Sequence, residues 1–209
     1  MKYELDNKKY EVIINRKNNK NTYIRVKDGA IYVNTHFLAS KIYIKSLLDN
    51  NKDALRKMIN SNNIKEEREK NFYFLGKIYD VIIVPSMKIE FTDNQIFVES
   101  TEYLDKWLKK QTKLIFQKRL DYIYNLFEEN IPYPNLKIRK MKTRWGVCNR
   151  KNNNVTLNSE LIKYGYEQID YVIVHELSHF VHFNHSSDFW SLVSKYCKNY
   201  KVIRKSLKY

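Results

Sequence analysis

At 209 residues the chain can bury a sizeable core in one domain, or in one domain with a lobe. Hydrophobic residues make up 43% and charged residues 29%, which excludes a disordered chain, and four Gly with three Pro exclude flexible linkers. The formal charge of +15 suits an acidic partner, yet the basic residues are scattered and Lys, Asn, Ile and Tyr are all abundant, so a solvated compositional face is the simpler account.

The polar start, Met1 to Asp6, leads into no apolar run of a secretory signal, and no stretch approaches the ~20 apolar residues of a membrane span. Two cysteines, Cys148 and Cys197, do not make a disulfide framework. A cytoplasmic, reducing location without membrane contact is the expectation.

In chain order, residues 10–35 read as β, with runs at 10–14 and 22–26 and an Asp28-Gly29 hairpin turn before 30–33. Residues 40–60 carry helical periodicity through Ile44, Leu47, Leu48, Leu55 and Ile59. Residues 61–70 are polar and either continue that helix or connect it onward. A second β stretch follows, with 72–75 and 78–84 flanking Gly76-Lys77, then 88–92 and 95–99 flanking Asp93-Asn94. The spacing predicts a long helix over 103–129, through Leu104, Trp107, Leu108, Ile115, Leu120, Ile123 and Phe127, ended by Ile131-Pro132-Tyr133-Pro134. Two strands, 137–142 and 154–157, enclose Thr143-Arg144-Trp145-Gly146-Val147-Cys148. Helices are predicted from about Glu167, over 187–196, and over the basic 200–209.

The helix from Glu167 carries His175-Glu176-Leu177-Ser178-His179, followed by His185. On a helix, His175 and His179 stand one turn apart on one face, where two imidazoles can share a tetrahedral Zn²⁺. Glu176 lies about 100° further round, placed for a metal-bound water rather than for the metal. Ile169, Ile173, Val174, Leu177, Phe180 and Val181 project to the other side, which predicts an amphipathic helix. His182 competes with His185 as third ligand, but three ligands on one helix face lie nearly in line, and a tetrahedron wants one from outside that line. His185 beyond the helix end is therefore the expected third ligand. Three neutral imidazoles leave one position open, as catalytic zinc sites do, and favour Zn²⁺ over other ions. Glu176 would act as general base.

Around this core the readings divide. Arg144, Trp145 and Gly146 either bind substrate beside a strand that lines the cleft, or serve packing and ion pairing. In the first case Gly146 would permit close backbone approach. Cys148 reads as a small buried hydrophobe. Asp170 reads as a partner of the helix dipole, with a contact to a ligand histidine as the alternative. Phe189 and Trp190 are expected to brace His185.

Arg144-Trp145-Gly146-Val147-Cys148, Leu157-Asn158, the run from Ile169 to His179, and Asn184-His185-Ser186 with Phe189-Trp190 together resemble the YgjP-like metallopeptidase family, related to the SprT-like zinc peptidases. Leu75-Gly76-Lys77 and Tyr79 are similar to its N-terminal part. Val147 departs from the Ser usual there. The resemblance implies an α+β fold: a β-rich N-terminal lobe over 1–100, then a zincin-type catalytic part over 101–209 with the histidine helix beneath a small antiparallel sheet. It implies zinc at His175, His179 and His185, with Glu176 catalytic. The expected activity is peptide hydrolysis by Glu-assisted attack of zinc-bound water. Two alternatives remain: a metal-dependent nucleotide or phosphoanhydride hydrolase acting on a small anionic substrate, and a SprT-like protease associated with DNA, although no nucleic-acid-binding motif is visible.

Overall fold

Two left-handed dipeptides, Asp6-Asn7 (φ 52° and 61°) and Asp28-Gly29 (φ 50° and 70°), make the two tight turns of the first sheet. Such residues match the twist of two-residue hairpins. The structure, a computed structural model, describes residues 1–207, the side chains of residues 65 and 68–70 aside. It divides into two compact units, Met1–Lys70 and Asn71–Lys208.

The first unit holds β1 (Lys2–Leu5), β2 (Lys8–Lys17), β3 (Tyr23–Lys27) and β4 (Ala30–His36), in the order β1-β2-β4-β3. β2 pairs with β4 in parallel. The polar loop after β2 therefore leads past β4 to the sheet edge instead of closing a hairpin. Helices α1 (Lys41–Asn50) and α2 (Lys52–Lys70) supply Ile44, Leu48, Leu55 and Ile59, which pack against Tyr3, Leu5, Val12, Ile31 and Val33. Ser40 caps α1, its hydroxyl accepting from the Tyr43 N–H at 3.1 Å. The single helix expected over 40–60 breaks at Asn51, whose amide donates to the Leu47 carbonyl at 2.8 Å. The undecided 61–70 continues α2.

In the second unit, β5 (Phe72–Phe74), β6 (Lys77–Ile83), β7 (Glu90–Phe91) and β8 (Gln95–Val98) form a sheet in the order β5-β6-β8-β7. Ile96 and Val98 bury against Leu104 and Trp107 at the start of α3 (Thr101–Leu126). That shared core keeps these strands with the helices that follow. The contact boundary thus falls after Lys70, whereas the sequence suggested one near residue 100.

A third sheet comprises β9 (Asn135–Arg139), β10 (Gly146–Asn149) and β11 (Asn154–Asn158), in the order β10-β11-β9. The expected small antiparallel sheet is in fact mixed: β10 and β11 are antiparallel, β11 and β9 parallel. Two chain reversals restore the direction of β9 by the time β11 inserts beside it. β10 is left at an edge.

Helices α4 (Tyr166–Val181), α5 (Ser187–Tyr196) and α6 (Tyr200–Ser206) complete the unit. Ile169, Ile173 and Leu177 of α4 share one core with Phe116 and Leu120 of α3, Val155 and Leu157 of β11, Phe189 and Val193 of α5, and Ile203 of α6. Neighbours on so many sides bury Glu176 and Ser178 as well, so α4 is less amphipathic than its sequence predicts.

The tip of the β5–β6 hairpin fixes the start of α4. Leu75 and Gly76 are left-handed (φ 49° and 84°). Their N–H groups donate to the carbonyls of Ile162 (2.9 Å) and Lys163 (3.3 Å). A Cβ on Gly76 would stand 3.2 Å from the backbone nitrogen of Gly165, the residue before α4. Glycine is needed there both for the dihedral and for the approach.

Candidate metal centre

α4 places His175 and His179 on one side of its last turns, and the loop before α5 returns His185 to the same point. One ring nitrogen from each of the three lies within 4.8 Å of the others. The Nε2 atoms of His175 and His185 are 3.1 Å apart. Two ligands of one tetrahedral ion, each at about 2.0–2.1 Å, stand about 3.3–3.4 Å apart. Two imidazole lone pairs face each other at this distance only with a proton or a cation between them.

The tautomers suit a cation. His179 Nδ1 lies 3.2 Å from the His182 carbonyl, to which it can donate, leaving Nε2 bare. His182 ends the helix in extended conformation (φ −114°, ψ 119°). It serves the cluster through its carbonyl, and its ring is not a member. Burial, then the charges of His179, His185 and Arg204, push His175 down to about 3. Burial also lowers His179. Both rings are therefore neutral with lone pairs available, as ligands must be. His175 Nδ1 is buried without a hydrogen-bond partner. The donor set fits one divalent ion of the kind imidazoles hold, zinc, copper, nickel or iron among them.

Glu176 is 4% exposed. Burial pushes its carboxyl up to about 8, against the pull of the Cys148 backbone N–H and the Arg144 charge. Its ceiling is Gly146 on β10, where a Cβ would fall 2.5 Å from Oε1 and 2.7 Å from Cγ. Gly146 therefore admits the Glu176 side chain itself. Asn158, buried at the end of β11, holds the approach to Gly146: its Nδ2 donates to the carbonyls of Met141 (2.9 Å) and Arg144 (2.8 Å). The sequence offered Leu157-Asn158 as a motif but no role; a buried amide after a strand was the signal.

A family pattern described as "YgjP-like, metallopeptidase domain" matches residues 20–209. The chain belongs to the YgjP-like metallopeptidase family. No curated protein matches it. Two solved structures are similar to part of it. One is the crystal structure of the metallopeptidase zymogen of Pyrococcus abyssi abylysin, with 24% identity over 44% of this chain and 94% of that one, at a TM-score of 0.38. The other is that of Methanocaldococcus jannaschii jannalysin, also a metallopeptidase zymogen, with 26% identity over 46% and 97%, at a TM-score of 0.33.

The other predicted residues of this YgjP-like chain take definite places. Asp170 forms a two-pronged pair with Arg119 of α3 (2.7 and 2.6 Å) and so ties two helices instead of reaching a ligand histidine. Trp145 donates its indole N–H to the Leu207 carbonyl at 2.9 Å and meets Tyr164 edge-on. Arg144 is exposed. Burial, then the Glu176 charge, pushes the Cys148 thiol up to about 12, so it stays protonated. Phe189 is fully buried, its ring 4.6–4.9 Å from those of all three histidines. No helix among the described residues is long and apolar enough to cross a membrane.

Proposed function

We propose that the chain is a zinc-dependent metallopeptidase in which His175, His179 and His185 hold the ion and Glu176 moves the proton. The observation that supports this best is the convergence of three ring nitrogens within 4.8 Å, next to a carboxyl buried under Gly146. When bound, the ion would lower the pKa of water and polarise the scissile carbonyl. With a cation held by the histidines to favour its ionised form over the value of about 8 that burial alone sets, Glu176 would accept the proton of the attacking water and return it to the leaving amine. Gly146 packs directly against the Glu176 carboxyl and limits where that carboxyl can move. β10, an edge strand beside Glu176, offers a polypeptide main-chain pairing, and this is the part we give to the backbone from Arg144 to Gly146. The exposed Arg144 guanidinium stands ready for a substrate carboxylate or the developing oxyanion.

Glu176→Gln should bind zinc as the parent does and lose hydrolysis of unfolded polypeptides by about 10²-fold or more. Zinc content by metal analysis and cleavage by gel and mass spectrometry check both halves. Full turnover in a zinc-loaded variant would remove Glu176 from the reaction. Cleavage of nucleoside triphosphates, with polypeptides left intact, would move the reading to phosphoanhydride hydrolysis at the same centre.

A further inference from the structure

α5 and α6 carry an aromatic ladder that ends on the third histidine. His185 is the exposed member of the triad and sits on a loop, not on a helix. Its ring stacks on Trp190, with centroids 5.5 Å apart and planes at 22°. Trp190 stacks in turn on Tyr200, at 5.2 Å and 12°. The Arg204 guanidinium carbon lies 4.8 Å from the centroid of the Trp190 ring. Tyr200 and Arg204 are four residues apart, so one face of α6 presents both.

The far end of α6 also reaches the centre. The Leu207 carbonyl accepts from Trp145, and Trp145 precedes the Gly146 that covers Glu176. A helix of seven residues does not hold itself together in water. Buried Ile203 and Leu207 anchor it to the core.

This arrangement meets a need that His185 creates. An exposed ring on a loop samples several rotamers, and each metal-binding event must freeze it. A wall built beforehand removes that cost. Trp190, only half-buried, makes such a wall if its own ring is held. Stacking and cation–π contact from α6 do the holding.

We propose that Tyr200 and Arg204 are positioning residues for the metal centre: they clamp Trp190, and Trp190 keeps the His185 ring aimed at His175 and His179. This rests on the reading of the three histidines as ligands. Metal affinity then depends on two side chains that are not themselves ligands.

The test uses the whole chain. Zn²⁺ affinity is measured by competition with a chromophoric chelator, and the ligand geometry by the visible absorption of the Co²⁺ form. Tyr200→Ala should weaken zinc binding by about 10- to 100-fold and shift the Co²⁺ bands. Arg204→Lys, which keeps the charge felt by His175 but loses the planar guanidinium over Trp190, should act in the same direction by less. Tyr200→Phe, which keeps the stacked ring, should restore both readouts. Val202→Ala, at a 73% exposed position on the same helix, should change neither. Unchanged affinity and spectrum in folded Tyr200→Ala would overturn the proposal. If that variant does not fold, Arg204→Lys decides in the same way. A parent that binds neither Zn²⁺ nor Co²⁺ defeats the metal-centre reading and this inference together. A parent that binds, with indistinguishable variants, defeats the inference alone.

Discussion

At the scale of single residues, Gly146 and Glu176 act as a pair. A carboxyl at 4% exposure needs space, and the missing Cβ of Gly146 provides it. Gly146→Ala would press a methyl to 2.5 Å from Oε1, so either the strand or the carboxyl must shift. Overpacking of this kind costs about 1–3 kcal/mol. The variant should melt at lower temperature and lose turnover while the histidines retain zinc, which calorimetry and metal analysis separate. Much of this site was legible in the sequence. The spacing of His175, His179 and Glu176 places them by helical period alone, and a tetrahedral site was the reason to expect His185, whose ring nitrogen does converge on the other two. What pressed on Gly146 was not legible, because strand and helix meet only after folding.

At the scale of elements, α4 is held from outside. Arg119 and Asp170, each about one quarter exposed, join α3 to its first turns. Asp170→Ala should cost about 1–3 kcal/mol, since it strands a half-buried guanidinium, yet leave zinc affinity unchanged. Denaturant unfolding beside a zinc titration tests both parts. Ahead of α4, Glu160 lies between Lys163 (2.8 Å) and Lys140 (3.3 Å). Burial alone would raise its pKa, but the Lys163 hydrogen bond and the charges of Lys163 and Lys140 hold it below its ordinary 4.5. A depressed carboxylate contributes stability above the unfolded pKa, and that contribution is lost as pH falls through the folded value. Glu160→Gln should therefore be less stable than the parent at pH 7 by up to about 1 kcal/mol. The gap should close in unfolding curves taken progressively below pH 4.5.

At the scale of the molecule, the ion would be part of the stability of the second unit, because an ion that binds only the folded form stabilises it by mass action. At 100 times its dissociation constant zinc adds about 2.7 kcal/mol. Differential scanning calorimetry should show a higher unfolding temperature with zinc, reversed by a chelator, and no response in His179→Ala. By itself the sequence determined what depends on near neighbours along the chain. The Asp28-Gly29 turn follows from dihedral preference, α5 from apolar spacing, and the paired histidines of α4 from 3.6 residues per turn. Only the tertiary structure decided that β2 pairs with β4, that β11 lies between β9 and β10, that Asp170 reaches Arg119, and that Glu176 lies under Gly146. Those are choices between distant segments that share similar local patterns. They are settled by which burial and hydrogen-bond arrangement satisfies the whole core at once.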